Sequence, residues 1–481
     1  MPELAPAATP ALGYLLDGKW STEGQQTEVH SPYDGIVVGT VCFAGRPQVD
    51  QAIAAAVRAF EVTRKLPSYE RQRVLQRVSR QLAEQREEFA RSIALEAGKP
   101  IKTARAEVDR AIFTFQVASE EATRIYGEYL PMDLQEFTAG RWALVRRFPL
   151  GPIAAITPFN FPLNLVAHKV APAIAAGCTV VLKPASQTPR TALLLAQAIE
   201  KAGWPAGALN VLPLRNQDAD QLVTDDRLKM LSFTGSPAVG WKLKSQSRKK
   251  RVTLELGGNA GVIIHSDADL DYAAERCVVG AFSYAGQSCI AVQRILVQRA
   301  VYEPFLQKFL ERVGKLKAGD PLDEGTDVGP LISEQDAIRA CEWVEEAVAG
   351  GATARCGGKR SGSVVEPTVL TGTRPQMRVN CQEIFAPVKT VEPYDGFEDA
   401  LRIVNDSAYG LQAGVFTQDA KLIFQAYEEL EVGGVLAGEV PTFRIDHMPY
   451  GGVKDSGMGR EGLRYAIEEM TERKLLVMNL R

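Results

Sequence analysis

The chain has 481 residues, 46% of them hydrophobic and 23% charged, with a formal net charge of −3. That balance suits a globular protein of two or three domains and gives no electrostatic reason for binding nucleic acid or an anionic membrane. Seven scattered cysteines form no C-x-x-C pair and no zinc-spaced Cys/His cluster, so neither a disulfide framework nor a metal site is expected.

Residues 1–12 read as a Pro/Ala-rich disordered tail, without the basic-then-apolar pattern of a signal peptide. No apolar run reaches the roughly 18 residues that span a bilayer, and a cytoplasmic setting is expected. From Val49 to Ala122 the periodicity is helical, with Val49, Ile53, Ala56, Val57 and Phe60 on one stripe and Val74, Leu75, Val78 and Leu82 on the next. Gly98-Lys99-Pro100 interrupts it, and another helix is expected from about Thr103 to Ile125. Residues 127–148 read as an extended hairpin outside the main core, a candidate oligomer contact.

Between Gly151 and Gly258, β-rich runs at Ile153–Ile156, Thr179–Leu182, Leu209–Leu212, Met230–Phe233 and Thr253–Leu256 alternate with helical stretches such as Pro189–Ala202. This alternation is the signature of βαβ units and a parallel sheet with a crevice at its carboxyl edge. A second α/β segment follows, with strands such as Arg294–Val297 and Val364–Val369, and residues 473–480 read as a final strand. The fold class is therefore α/β: a Rossmann-like doubly wound domain over 13–126 and 149–257, a second α/β domain over 258–440, and a return loop over 441–464. A small β segment is expected from 127–148 and 465–481.

Gly457-Met458-Gly459-Arg460-Glu461-Gly462 matches G-x-G-x-x-G literally. No apolar strand leads into it and too few residues follow for a βαβ unit, so it reads as a turn opening the last helix. Phe233-Thr234-Gly235-Ser236-Pro237 is a better anion site, with a strand ending at Phe233, Ser236 as N-cap and Pro237 at the first helical position. On residues alone a plain helix start explains it equally well. The basic run Arg248-Lys249-Lys250-Arg251 reads as a solvated turn.

Cys289, Glu255 and Asn160 carry the chemistry. A thiol, a carboxylate and a side-chain amide can serve as nucleophile, water-activating base and oxyanion donor. A core cysteine and an Asx turn after Pro158 are the bland alternatives, and Cys277, on an apolar helical pattern, reads as such a core thiol.

Together these motifs resemble the aldehyde dehydrogenase superfamily from about Leu15 to the end. The resemblance implies that Cys289 attacks an aldehyde, that Asn160 and the Cys289 backbone N–H hold the oxyanion, and that Glu255 activates water to hydrolyse a thioester. It implies NADP or NAD held by Thr157, Pro158, Phe159, Lys183, Ser186, Phe233, Gly235, Ser236, Leu256, Gly257, Glu383 and Phe385, which would make 13–126 and 149–257 the cofactor domain. Ser186 stands where the family carries a glutamate that accepts from the ribose hydroxyls; losing that carboxylate favours NADP or dual use.

The run Thr442–Gly452 resembles the substrate loop of lactaldehyde, glyceraldehyde and succinic-semialdehyde dehydrogenases. A small polar or anionic aldehyde is expected, with Arg444 and Arg110 as candidate contacts and surface ion pairs as the alternative for both. The family resemblance also implies a homodimer or homotetramer. Two other readings stand beside this one: a CoA-acylating semialdehyde dehydrogenase, which characteristically lacks the Glu255 carboxylate, and a non-catalytic protein reusing the fold.

Overall fold

A computed structural model of the chain describes residues 11–479; residues 1–10 of the expected tail, with 480 and 481, lie outside the described residues. Leu12 donates from its backbone to Thr40 at 2.8 Å and accepts from Cys42 at 3.0 Å, so this residue of the expected tail is tied to the fold.

Four helices, not three, precede the hairpin: Arg46–Thr63, Ser68–Glu84, Arg86–Ala97 and Ile101–Glu121. The second break falls at Gln85, whose φ of −103° and ψ of 19° leave the helical region without a Gly or Pro to announce it. The last helix starts at Ile101, right after its N-cap Pro100.

The first sheet has eight strands, and its five central members are parallel in the order Leu209–Val211, Val180–Lys183, Ile153–Ile156, Met230–Thr234 and Arg251–Glu255. The chain starts at Ile153–Ile156, moves outward through two strands, then crosses back to Met230–Thr234. This is doubly wound topology, and its switch point lies where Ile153–Ile156 meets Met230–Thr234. Gly457–Met458 pairs antiparallel with Leu254–Glu255 at one edge. The glycine-rich run is therefore partly an edge strand and not only a turn; Gly462, at φ 93°, opens the helix Leu463–Glu469.

The second sheet has seven strands, six of them parallel, from Thr368–Thr371 to Gly434–Ala437. The single strand expected over Val364–Val369 is split into Val364–Val365 and Thr368–Thr371. Pro367 lies at the break and has no N–H to give a ladder. The hairpin Glu128–Pro131 and Arg141–Pro149 joins Thr471–Asn479 in a third, three-stranded sheet. Leu463, Ile467 and Met470 belong to the first core, so this β unit begins at Thr471 and not at 465.

Residues 256–259 link the sheets, leaving the carboxyl end of Arg251–Glu255 and entering Ala260–Ile264. A buried ion pair locks the surrounding loops. Lys99 and Glu107 pair with no solvent exposure to speak of, and Glu107 Oε1 accepts from the backbone of Leu163 at 3.0 Å and Asn164 at 3.1 Å. The Lys99 ammonium sits 3.7 Å from the Phe161 ring centroid and 4.4 Å from that of Tyr284. One cation thus fastens the loop carrying Asn160 to the loop carrying Cys289. No helix among the described residues is long and apolar enough to cross a membrane.

Candidate active site

Cys289 lies between the helix Leu270–Phe282 and the strand Val292–Gln298. Three successive left-handed residues, Tyr284 at φ 51°, Ala285 at 53° and Gly286 at 71°, turn the chain there. Such geometry in non-glycine residues costs about 1–3 kcal/mol each and needs support from its surroundings. Tyr284 supplies some of it by donating to the Ala97 carbonyl at 2.8 Å. Gln287 supplies more, accepting from Ile332 N at 2.9 Å and donating to the Pro330 carbonyl at 3.2 Å.

Asn160 is buried and its Nδ2 donates to the Gln287 carbonyl at 3.0 Å, two residues from the thiol. The amide has a second N–H to give. Glu255 ends its strand with 4% exposure, and neither carboxylate oxygen has a hydrogen-bond partner among the described residues. A β-carbon placed on Gly258 would come 2.2 Å from the Cys289 carbonyl oxygen, so the Glu255 loop and the cysteine loop touch only because that position is glycine.

A cavity of about 430 Å³ brings these groups together. Cys289, Glu255, Asn160, Arg110 and Arg444 line it, as do Pro158, Phe159, Gly235, Ser236, Leu256, Gly257, Glu383 and Phe385. Four expected residues are not on its wall: Thr157, Lys183, Ser186 and Phe233. Thr157 and Phe233 sit at the switch point, and Lys183 ends the adjacent strand. Ser186 donates to the Leu214 carbonyl at 3.1 Å.

Several features fit a dinucleotide. Gly235 and Ser236 bring the start of the helix Pro237–Gln246 to the cavity wall, and the Thr234 hydroxyl beside them is buried without a partner. Lys183 is buried with only the Pro184 carbonyl at 3.5 Å, and burial pulls its ammonium down to about 8. Glu383 accepts from Gly258 N at 2.8 Å, and burial pushes its carboxyl up to about 7. Phe385, at φ 52°, meets Phe159 edge-on at 6.1 Å.

Both candidate arginines are engaged. Arg444, its side chain 6% exposed, donates to Glu461 at 2.9 Å, and its guanidinium lies 3.7 Å from the Tyr450 ring centroid. Arg110 donates to Asp446 from Nη2 at 2.6 Å and from Nε at 3.3 Å. Asp446 also meets His168 at 2.8 Å and Asn164 at 3.2 Å. The surface ion pairs weighed for these arginines are thus replaced by buried or half-buried ones.

Sequence reasoning missed Tyr450, Glu461 and Lys169. Tyr450 Oη lies 2.9 Å from Cys289 Sγ. Lys169 reaches Ser232 at 3.0 Å and Glu461 at 3.4 Å. Lys169, which with His168 interrupts the apolar run Leu165–Ala176, was a legible signal for a buried partner. Glu461 was hidden inside the glycine-rich run set aside as a turn.

The electrostatics separate two neighbouring carboxyls. Burial, then repulsion from Glu461, holds the Glu255 carboxyl well above the usual range. Glu461 lies lower, near 2, because Lys169 and Arg444 outweigh the burial that opposes them. Burial pushes the Cys289 thiol up to about 12; Tyr450 and Arg444 oppose that shift, and Glu383 and Glu255 add to it.

The aldehyde dehydrogenase family model matches residues 20–476, and the chain belongs to that family. The 3-sulfolactaldehyde dehydrogenase of Priestia megaterium is 44% identical over 97% of this chain and 98% of its own length. An aldehyde dehydrogenase from Physcomitrella patens, solved with the reaction product succinate, is 44% identical with a TM-score of 0.96, over 98% of this chain and 99% of its own. A glyceraldehyde-3-phosphate dehydrogenase from Methanocaldococcus jannaschii, solved with NADP, is 39% identical with a TM-score of 0.91, over 95% of this chain and 99% of its own. The protein is an NAD(P)-dependent aldehyde dehydrogenase, and neither the CoA-acylating nor the non-catalytic reading is favoured.

The raised Glu255 carboxyl has a thermodynamic consequence. Its folded form binds a proton that the unfolded chain releases above about pH 4.3, so ionisation costs stability progressively as pH rises toward the folded value. Glu255→Gln removes that cost. Its thermal midpoint exceeds the parent's by a margin that widens as pH rises above about 5; a pH-independent margin in scanning calorimetry contradicts the assignment.

Proposed function

We propose that Cys289, Asn160 and Glu255 carry out the oxidation, and that the substrate is a small aldehyde with an anionic tail. The observation that supports the catalytic assignment is the shared cavity, lined by a half-buried thiol, a buried amide and a buried carboxylate that has no hydrogen-bond partner among the described residues.

Cys289 Sγ bonds to the aldehyde carbon, and the carbonyl electron pair moves onto oxygen. The second N–H of Asn160, with the Cys289 backbone N–H, holds that oxyanion; one such donor is worth roughly 3 kcal/mol in the transition state. NAD(P)+, held by the residues that line the cavity beside Cys289, would supply the hydride acceptor needed to convert the hemithioacetal into a thioester. Glu255, ionised, takes a proton from water as the water oxygen attacks the thioester carbon. The C–S bond breaks, the acid leaves and loses its proton to solvent, and the departing thiolate takes up the proton that Glu255 collected, which restores both the thiol and the base.

For the cofactor, 13–126 and 149–257 form the binding domain, with Gly235 and Ser236 at the pyrophosphate and Lys183 at the adenosine ribose. With Ser186 and no carboxylate beside Lys183, NADP or dual use is favoured over strict NAD, and the two KM values read this directly. The second domain, 258–440, supplies Cys289, and 441–464 forms the substrate side. The strand Thr471–Asn479 is the edge of its sheet and leaves Leu475, Leu476 and Val477 exposed. Such an edge supports pairing between copies into a dimer or tetramer, whose mass light scattering reads. Seven unpaired cysteines support a reducing, cytoplasmic setting.

Charge supports the anionic tail. Arg110, Arg444 and Lys169 face Asp446 and Glu461, while burial raises the Glu255 affinity for a proton and lowers that of His168. Three cations thus face two carboxylates on this side of the cavity. Arg110 also keeps Nη1 free for a ligand among the described residues. The relatives named for sulfolactaldehyde and glyceraldehyde 3-phosphate, and the moss enzyme that holds succinate, act on or hold anions of this size.

Glu255→Gln is expected to give a burst of about one NADPH per site followed by turnover at least 100-fold slower, and Cys289→Ser neither burst nor turnover. Full turnover by Cys289→Ser overturns the covalent assignment. Succinic semialdehyde should exceed propanal at least tenfold in kcat/KM, and Arg110→Met should erase most of that margin. Equal use of both aldehydes contradicts the anionic reading.

A further inference from the structure

The family chemistry accounts for a thiol, an amide and a carboxylate, yet the atom that touches the sulfur is none of these. It is the phenol oxygen of Tyr450, at 2.9 Å. The ring is 2% exposed, packed with Ile290 and Leu411 against Cys289. Among the described residues its hydroxyl has no other hydrogen-bond partner. On its opposite side the ring face carries the Arg444 guanidinium, 3.7 Å from the centroid, and that guanidinium is itself pinned by Glu461 at 2.9 Å.

We infer that Tyr450 is a further catalytic donor, whose O–H holds the Cys289 sulfur and stabilises it as thiolate before it attacks. This rests on Cys289 being the nucleophile. A phenol can give one strong hydrogen bond, and a thiolate is a far stronger acceptor than the weakly accepting sulfur of a neutral thiol. A cation over the ring face draws electron density from the phenol and makes its O–H a better donor. Arg444 therefore acts on the sulfur through the ring, a route that needs no direct contact.

No proton is lost from Tyr450 in this scheme. The thiol proton leaves to solvent through the half-open cavity, the O–H donates to the sulfur lone pair, and the bond weakens as that pair is committed to carbon. The charged groups facing the sulfur from other elements are Glu383, Arg444 and Glu255. Two of the three are carboxyls, so an uncharged donor at this position offsets surroundings that otherwise disfavour negative sulfur.

Tyr450→Phe tests this cleanly, because it keeps the ring beneath Arg444 and removes only the hydroxyl. The readout is the rate of Cys289 alkylation by iodoacetamide against pH in the full-length enzyme without nucleotide. Cys289→Ser serves as the blank for the remaining six thiols. The variant's profile is expected to shift up by about one pH unit, about a tenfold loss of thiolate at fixed pH, with kcat/KM falling by a similar factor and the thermal midpoint unchanged. A profile superimposable on the parent's, with Cys289→Ser inactive, overturns the role of Tyr450 and leaves the nucleophile assignment standing. An active Cys289→Ser overturns both.

Discussion

The structure turns on a carboxylate that is given no partner. Glu255 is buried to 4% exposure and both its oxygens lack hydrogen bonds, although Lys169 and Arg444 are close enough to bias its charge. Those two cations are committed to Glu461, whose carboxyl is held low, while burial and repulsion from Glu461 hold the Glu255 carboxyl high. A general base is efficient when its proton affinity approaches the working pH, and burial beside a second, better-paired carboxylate is one way to raise it. Leaving Glu255 unpaired costs stability, and the cost makes sense only if the group has work to do on a ligand.

The fold delivers that carboxylate at the point where the chain passes from the first sheet into the middle of the second. Arg251–Glu255 ends at the carboxyl edge of the first sheet, and four residues later Ala260–Ile264 starts the second. The cysteine loop enters the second sheet one strand over, at Val292–Gln298, and packs on the linking glycines. Doubly wound sheets place ligands outside the carboxyl edge at the switch point, and here that crevice opens onto the thiol. Lys99 and Glu107 hold the arrangement, since their pairing fixes both the Asn160 loop and Tyr284 on the cysteine loop. Breaking such a buried pair strands a charge, at about 3–5 kcal/mol.

Much of this was legible in the sequence because local pattern and local structure agree. The five parallel strands fall within two residues or so of their expected positions, since buried β-rich runs bounded by helical periodicity admit few other readings. Cys289, Asn160 and Glu255 stood out by motif, and the cavity unites them. The misses share a cause. Glu461 sits in a glycine-rich run that looks like a turn, and only its pairing across more than two hundred residues with Leu254–Glu255 reveals an edge strand. Tyr450 and Lys169 matter through partners remote in the chain, which neither propensity nor spacing encodes. Arg444 and Arg110 were found as candidates, but their commitment to Glu461 and Asp446 is a tertiary fact. Ser186, the departure read as a cofactor signal, turns back to the Leu214 carbonyl.

Peptide mapping of the Glu255→Gln enzyme quenched in acid after mixing with NADP and succinic semialdehyde tests the central claim most directly. The account predicts a mass increase equal to the succinyl acyl group, confined to the peptide containing Cys289 and absent when NADP is omitted. An unmodified Cys289 peptide in a sample that has released one equivalent of NADPH, or the acyl group on another residue, would contradict it.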